Sequence, residues 1–293
     1  MPRLSIIILS YNTRKITEQC LTSLLKSLQT EHTLIYEIIV VDNGSNDGSV
    51  NMLQNYKLQT TKYKLILNTK NIGFSKANNQ ALKIVKGEYV LFLNSDVLIE
   101  KVSFNRLLNY FDSRPDVGVL TVRVNRTDGS IDPASHRGFP TIWNSLCYFL
   151  KLEKLADIIP FVNKIFGGYH LIWNDLQMIH EIDSPSGAFY LVRKEIFDAV
   201  KGFDEQFFMY GEDLDLSYRI KELGYKILYY PFFHVTHLKY MSGLGTQNGR
   251  LKKAIKRHFY EAMKIFYVKH YAKKHSDFTN KAIYRLIDLK ARL

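Results

Sequence analysis

The feature that most constrains the fold is the repeated exchange of short apolar runs with longer helical stretches along the first 124 residues. Strand patterns cover Leu4 to Ser10, Tyr36 to Asp42, Tyr63 to Leu67, Glu88 to Leu93 and Val117 to Val124. Helical patterns fill 14–28, 47–56, 75–86 and 101–112 between them. Such alternation predicts an α/β fold: a Rossmann-like, mostly parallel central sheet with right-handed crossovers and helices flanking both faces. The rhythm fades over 125–182, where Pro133, Pro140, Pro160 and the Gly167-Gly168 pair interrupt aromatic, irregular sequence; this stretch is expected to cover or shape a second substrate's site. Order returns with a strand over 186–192, a helix from about Asp213 to Leu223 stopped by Gly224, and a strand from Lys226 to Tyr230.

In an open α/β sheet, ligands sit beyond the carboxyl ends of the strands. Three polar strand ends collect there: Ser10-Tyr11-Asn12, Asp42-Asn43-Gly44 and Asn94-Ser95-Asp96. Asp96 stops the apolar run Tyr89 to Leu93, and a carboxylate so placed suits a divalent metal shared with a phosphate. Asp42 precedes a turn-rich loop and suits the N3–H of uracil or thymine, with Tyr11 stacking on the base; the competing reading is an Asx turn. Downstream, Glu212, Asp213 and Asp215 crowd the start of a helix, where the macrodipole keeps Asp213 ionised as a candidate base. Helix capping is the alternative for one or two of these acids. His234 and His237 follow the last strand as metal ligands or structural histidines.

A hydrophobic content of 46% is ample for a sizeable core at 293 residues. The net charge of +12 is concentrated at the end, where thirteen Lys/Arg from Gly249 onward face Glu261, Asp277 and Asp288. Ile255, Phe259, Met263, Phe266 and Tyr267 among Lys252, Lys253, Lys256, Arg257 and Lys264 read as a basic amphipathic helix. It is expected either to lie on an anionic membrane surface or to pack on the domain with a solvated basic face. Nucleic acid is not an expected partner. Cys20 and Cys147 read as two buried thiols in a reducing compartment, and no run is long enough to span a membrane. The expected location is therefore cytoplasmic, with peripheral contact at the inner membrane face.

Taken together, Ser5 to Asn12, Val40 to Ser45, Asn71-Ile72-Gly73-Phe74 and Leu93 to Asp96 resemble the family 2 inverting glycosyltransferases, whose fold is GT-A. Ser186-Gly187-Ala188, Gly202 to Glu205, Phe207 to Leu216 and Arg219 are similar to the rhamnosyltransferase-type branch. The resemblance implies a GT-A domain over 1–245, with a nucleotide-binding half (1–124) and an acceptor and catalytic half (125–245), followed by the helical tail 246–293. It implies that Ser10, Tyr11, Asn12, Asp42, Asn71, Gly73, Asn94 and Ser95 bind the nucleotide. Asp96 and His237 would hold Mg2+ or Mn2+, and Asp213, beside Glu212, would be the catalytic base. The implied donor is a dTDP- or UDP-sugar, with dTDP-rhamnose a candidate. The implied acceptor is a hydroxyl of a surface polysaccharide or lipid-linked glycan. Asn94 departs from the family by replacing the first acid of the DxD-like motif; Lys239-Tyr240 depart from a commonly glycine-rich stretch, and Ser242 keeps its spacing. A catalytically silent nucleotide-sugar binder and a basic nucleic-acid binder are the competing readings.

Overall fold

The structure, a computed structural model, describes residues 1–57, 62–156, 159–238 and 249–292. Lys239, Tyr240, Ser242, the 245/246 boundary and the Lys252 side chain lie outside the described residues. The first half follows the expected rhythm: β1 (Leu4–Ser10), α1 (Arg14–Gln29), β2 (Tyr36–Asp42), α2 (Ser49–Lys57), β3 (Tyr63–Leu67), α3 (Phe74–Leu82) and β4 (Tyr89–Asn94). A short β5 (Val97–Ile99), α4 (Phe104–Asp112) and β6 (Val117–Asn125) complete it. The irregular stretch holds α5 (Ile142–Phe149), α6 (Glu153–Ala156), α7 (Asn163–Phe166) and β7 (His180–Ile182). Then come β8 (Phe189–Arg193), α8 (Lys194–Ala199), α9 (Glu212–Glu222), β9 (Lys226–His237), α10 (Gly249–His270) and α11 (Asp277–Arg292).

Among the described residues one nine-stranded sheet runs β3-β2-β1-β4-β8-β6-β9-β5, with β7 also on β9. Six strands point one way, and β5, β7 and β8 run against them, so the sheet is mostly parallel. Side chains alternate across a strand. Ile6 and Ile8 therefore enter one apolar layer with Leu21 and Leu24 of α1 and Phe111 of α4. Ile7 enters the opposite layer with Ala77 of α3, Phe197 of α8 and Ile220 of α9. Because helices cover both faces, the strands read as unbroken apolar runs rather than as alternating ones.

The last strand runs longer than expected, and the tail helix takes one of the two courses expected of it. The last strand does not end at Tyr230: β9 continues through Pro231 to His237, with a register shift against β6 between Tyr230 and His234. Proline has no N–H for the ladder, and the bulge absorbs it without ending the strand. The tail helix α10 does not lie free, because Ala262 and Phe266 are buried against Phe207 and Leu214. The charged side of this contact converges on Asp215, fully buried, whose Oδ1 lies 2.8 Å from His270 Nε2 and 2.7 Å from Lys269 Nζ. Arg219 Nε donates to its other oxygen at 2.8 Å. Burial works against the charge, yet the bond from His270 and the charges of Arg219 and Lys269 hold this carboxyl below its ordinary range. Of the two expectations for the basic helix, α10 shows the packed one.

Candidate active site

The sheet brings the expected strand ends into register. Ser10 pairs with Asp42 across β1 and β2, and Leu9 pairs with Asn94 across β1 and β4. Asp42 is completely buried and forms the Asx turn expected as one of its two readings. Its Oδ1 accepts N–H bonds from Gly44 (3.2 Å) and Ser45 (2.9 Å), an Asx turn. Its Oδ2 is buried with no hydrogen-bond partner, a costly condition that a ligand donor relieves. Tyr11, 42% exposed, stands at the mouth beside it in sequence with β1's end.

The neighbouring polar residues mainly build the loops. Asn12, at φ 52°, donates its N–H to Ser45 Oγ and accepts from the Asn46 N–H, both at 2.8 Å, so it ties the first loop to the second. Ser10 is turned into α1, within 3.0 Å of Thr17 Oγ1. Asn71 Oδ1 accepts from Asn43 Nδ2 and from the Gly73 N–H, both at 2.9 Å. Gly73 has φ 89°, and a Cβ there would lie 2.8 Å from the Phe208 ring and carbonyl, so the close approach of the 207–210 loop requires glycine. Thus Asn12, Asn71 and Gly73 brace the loops at the strand ends and Ser10 bonds α1, while Tyr11 is exposed and one oxygen of Asp42 has no hydrogen-bond partner. Asn94 ends β4 beside buried Ser95, and its Oδ1 lies 3.4 Å from the Cβ position of Gly187, which places Ser186-Gly187-Ala188 against it.

Asp96 is 4% exposed and meets the end of β9. The Leu238 N–H donates to the Asp96 carbonyl at 2.8 Å, and Asp96 Oδ1 lies 3.1 Å from His237 Nε2. On the other side of the ring, His237 Nδ1 lies 2.8 Å from Oδ2 of Asp132, which is fully buried. Burial opposes a charge on this imidazole, but the bonds to Asp132 and Asp96 outweigh it and raise its pKa to about 9. Asp132 was not legible as a site residue, because Asp132-Pro133 reads simply as a turn. The residue does cap that turn, accepting the Ala134 N–H at 3.2 Å, but its second oxygen holds the histidine. His234, the other expected histidine, faces away, 3.6 Å from Glu100 on an exposed edge.

Among the described residues no three His, Cys, Asp or Glu side chains surround a common point. Asp96 and His237 nevertheless fit a hard divalent ion once the imidazole gives up the proton between them. Two adjacent ligands at about 2.1–2.2 Å lie roughly 3 Å apart, as this oxygen and nitrogen do, and such ions take their remaining ligands from phosphate and water. A carboxylate on the far nitrogen of a ligating histidine is the usual means of orienting it, and Asp132 occupies that place.

Five residues beyond Asp132, the same strap reaches the acid cluster. Arg137 is buried, and its Nη2 donates to Asp213 Oδ2 at 2.7 Å and to the Pro185 carbonyl at 3.0 Å. An extended segment of this length spans at most roughly 18 Å, so the Asp96 and Asp213 ends of the crevice are bridged by one short piece of chain. Helix α9 has Gly211, at φ 77°, as its N-cap residue with no side-chain cap bond, so of the three acids only Asp213 satisfies a free N–H of the helix end. Asp213 Oδ1 accepts the Leu214 N–H at 2.7 Å, inside the first turn. Glu212, buried with Oε2 unpartnered, is pushed up to about 8 by burial and then by the Asp213 charge. Glu212 is thereby driven toward the neutral form, while Asp213 beside it is paired with a guanidinium. Arg137 gave no sequence signal, since it lies in the irregular stretch with no motif around it.

The sequence model described as glycosyl transferase family 2 matches residues 5–170, and one described as the N-terminal domain of galactosyltransferase matches residues 163–242. The chain belongs to glycosyl transferase family 2. This family 2 glycosyltransferase is 27% identical over 230 residues to the rhamnosyltransferase WbbL of Escherichia coli, covering 68% of this chain and 82% of WbbL. It is 27% identical over 264 residues to the N-acetylglucosaminyl-diphospho-decaprenol L-rhamnosyltransferase of Mycobacterium tuberculosis, covering 80% and 76%. Among solved structures it resembles S. aureus TarS 1-349 in complex with UDP-GlcNAc (TM-score 0.60, 22% identity, 92% of this chain and 66% of that one). It also resembles the mannosyltransferase PcManGT of Pyrobaculum calidifontis with GDP-Man and Mn2+ (TM-score 0.59, 16% identity, 94% and 65%). These structural likenesses give the fold, GT-A, and the chain spans only about two thirds of either solved chain.

Proposed function

We propose that the chain is an inverting glycosyltransferase that moves a sugar from a dTDP- or UDP-sugar, dTDP-rhamnose foremost, to a hydroxyl of a surface polysaccharide or lipid-linked glycan. The observation that carries this reading is the strap 132–137, which braces His237 against Asp96 at one end and pairs Arg137 with Asp213 at the other. Asp42 Oδ2 accepts the N3–H of the pyrimidine and Tyr11 stacks on its ring; Asn94 and Ser95 line the path of the diphosphate. Asp96 and His237 would hold Mg2+ or Mn2+, whose positive charge favours departure of the nucleoside diphosphate. Asp213 takes the proton from the acceptor hydroxyl as its oxygen attacks the anomeric carbon. The bond from that carbon to the diphosphate breaks with its electron pair on the leaving group, and the configuration inverts. Arg137 holds the Asp213 carboxylate in place for the hydroxyl, and Glu212, pushed toward its neutral form, adds no second charge beside it. In this proposal 1–124 is the nucleotide half, 125–245 the catalytic half, and the tail a buttress for α9.

The rhamnosyltransferase names of two relatives, one of which includes a diphospho-decaprenol acceptor, support the donor and acceptor classes. The test is calorimetric titration with dTDP, UDP, GDP and ADP, with and without Mn2+, followed by transfer assays. Asp213→Asn should bind the pyrimidine nucleotide as the native chain does and transfer nothing; an active Asp213→Asn enzyme overturns the assignment.

A further inference from the structure

The basic tail helix α10 is packed, yet the molecule carries a different surface of interfacial character. Between residues 142 and 166, α5, α6 and α7 form a lobe whose apolar side chains point outward: Phe161 is 82% exposed, Leu150 60%, and Trp143 and Ile165 about half. The exposed charged side chains among the described residues of this lobe are Lys151, Lys154 and Lys164, since Glu153 turns inward to His170 Nδ1 at 2.6 Å. Beside the lobe, α11 packs through Ile287 and Tyr284, the latter against Tyr267 of α10. At about 100° per residue, Phe278, Ala282, Leu286 and Leu289 fall on one outer stripe. Phe278 is 84% exposed and Leu289 57%. Arg285 and Lys281 border that stripe on one side and Lys290 on the other. Lys290 Nζ lies 5.7 Å from the centre of the Phe149 ring of α5, so the stripe and the lobe adjoin. The acid at this end of α11, Asp288, is paired with Lys264 of α10 at 3.2 Å.

We propose that the α5–α7 lobe and the outer stripe of α11 form one docking surface for an anionic lipid bilayer. Large apolar side chains separated by lysines are the composition of interfacial segments: the rings and leucines enter the acyl boundary while the ammonium groups meet anionic headgroups. Charge complementarity selects this occupant, because a second copy of the same face would set lysine against lysine. The lobe departs from the strand-end crevice and returns to it, since the Gly138 N–H, next to Arg137, donates to the Tyr169 carbonyl at 2.8 Å. A bilayer on the lobe therefore lies beside the pair Arg137–Asp213, within reach of a lipid-linked acceptor. That benefit rests on the function proposed above; the docking does not.

The test is co-sedimentation of the full chain with vesicles of phosphatidylglycerol and phosphatidylcholine, or of phosphatidylcholine alone. Its variants are Leu150→Glu with Phe161→Glu, Phe278→Glu with Leu289→Glu, and all four together. All four positions are exposed, so the fold should survive, and unchanged nucleotide affinity by calorimetry checks it. The native chain should partition onto the anionic vesicles, each pair should lower that partition about tenfold, and the four together should abolish it. No native binding, or binding that all four substitutions leave unchanged, overturns the proposal. So does a dimer in solution that the same substitutions break while vesicles bind nothing, for it gives the face to a second copy. Vesicle binding without affinity for any nucleotide leaves the docking surface standing and removes the proposed function.

Discussion

Replacing Arg137 with methionine tests the pair at the centre of the site. The guanidinium and the Asp213 carboxylate are 2.7 Å apart, with their side chains 10% and 12% exposed. At an effective dielectric of about 20 their attraction is about 6 kcal/mol, much of it offset by the cost of bringing both charges out of water. Removing one partner leaves that cost uncompensated on the other, so Arg137→Met should lose about 3–5 kcal/mol of stability. For a chain of this size the melting temperature should fall by roughly 6–12 °C. Asp213→Asn removes the stranded charge, so the double variant should recover part of the loss, with a coupling of about 2–3 kcal/mol. Transfer should fall in Arg137→Met because the guanidinium no longer fixes the position of the Asp213 carboxylate. Denaturant unfolding of the two single variants and the double variant, with transfer rates for each, measures all of this. An Arg137→Met chain within about 0.5 kcal/mol of native, or strictly additive variants, refutes the argument.

Asp42→Asn keeps an oxygen for the Asx turn but sets an amide where the free carboxylate edge was, so nucleotide affinity should fall about ten- to a hundredfold with little change in melting temperature, as read by calorimetry. Glu212, at about 8 in the folded chain against an ordinary 4.5, keeps a proton that the unfolded chain releases. Its contribution is therefore fully present below about pH 4.5 and is lost as pH rises toward 8, by up to about 1.4 kcal/mol per unit; Glu212→Gln should flatten that slope in unfolding measured against pH. Removing two of the three partners of buried Asp215, as in Lys269→Met with His270→Leu, leaves only Arg219 on it and should destabilise the chain by about 2–4 kcal/mol, and adding Asp215→Leu should regain part of it. Equal loss in both variants would sink that account of the tail.

Much of the site was legible before the fold was known. The apolar runs ending at Ser10, Asp42 and Asn94 specified parallel strands, and parallel strands in register carry their last residues to one edge. Local pattern settles such matters because strand, turn and helix preferences act within a few residues. For the same reason Asp213 could be placed in the first turn of a helix. Cys20 likewise is buried, its thiol pushed up to about 12 by burial, as a plain core residue would be.

What only the tertiary structure decided is which polar groups spend their bonds on each other. Ser10 ends a strand and Asn71 stands in the loop after β3, yet the Ser10 hydroxyl bonds Thr17 of α1 and the Asn71 amide bonds Asn43, 28 residues away, which no local pattern announces. Asp132 and Arg137 meet their partners across 105 and 76 residues of sequence, so neither pairing leaves a local pattern. The tail shows the same division. Its apolar spacing predicts one basic amphipathic helix, which α10 is, because amphipathicity is a property of spacing; the second helix, α11, came only with the structure. Which apolar face is covered depends on what the rest of the chain sets opposite it: α10 finds Phe207 and Leu214, and α11 keeps Phe278 and Leu289 in the open.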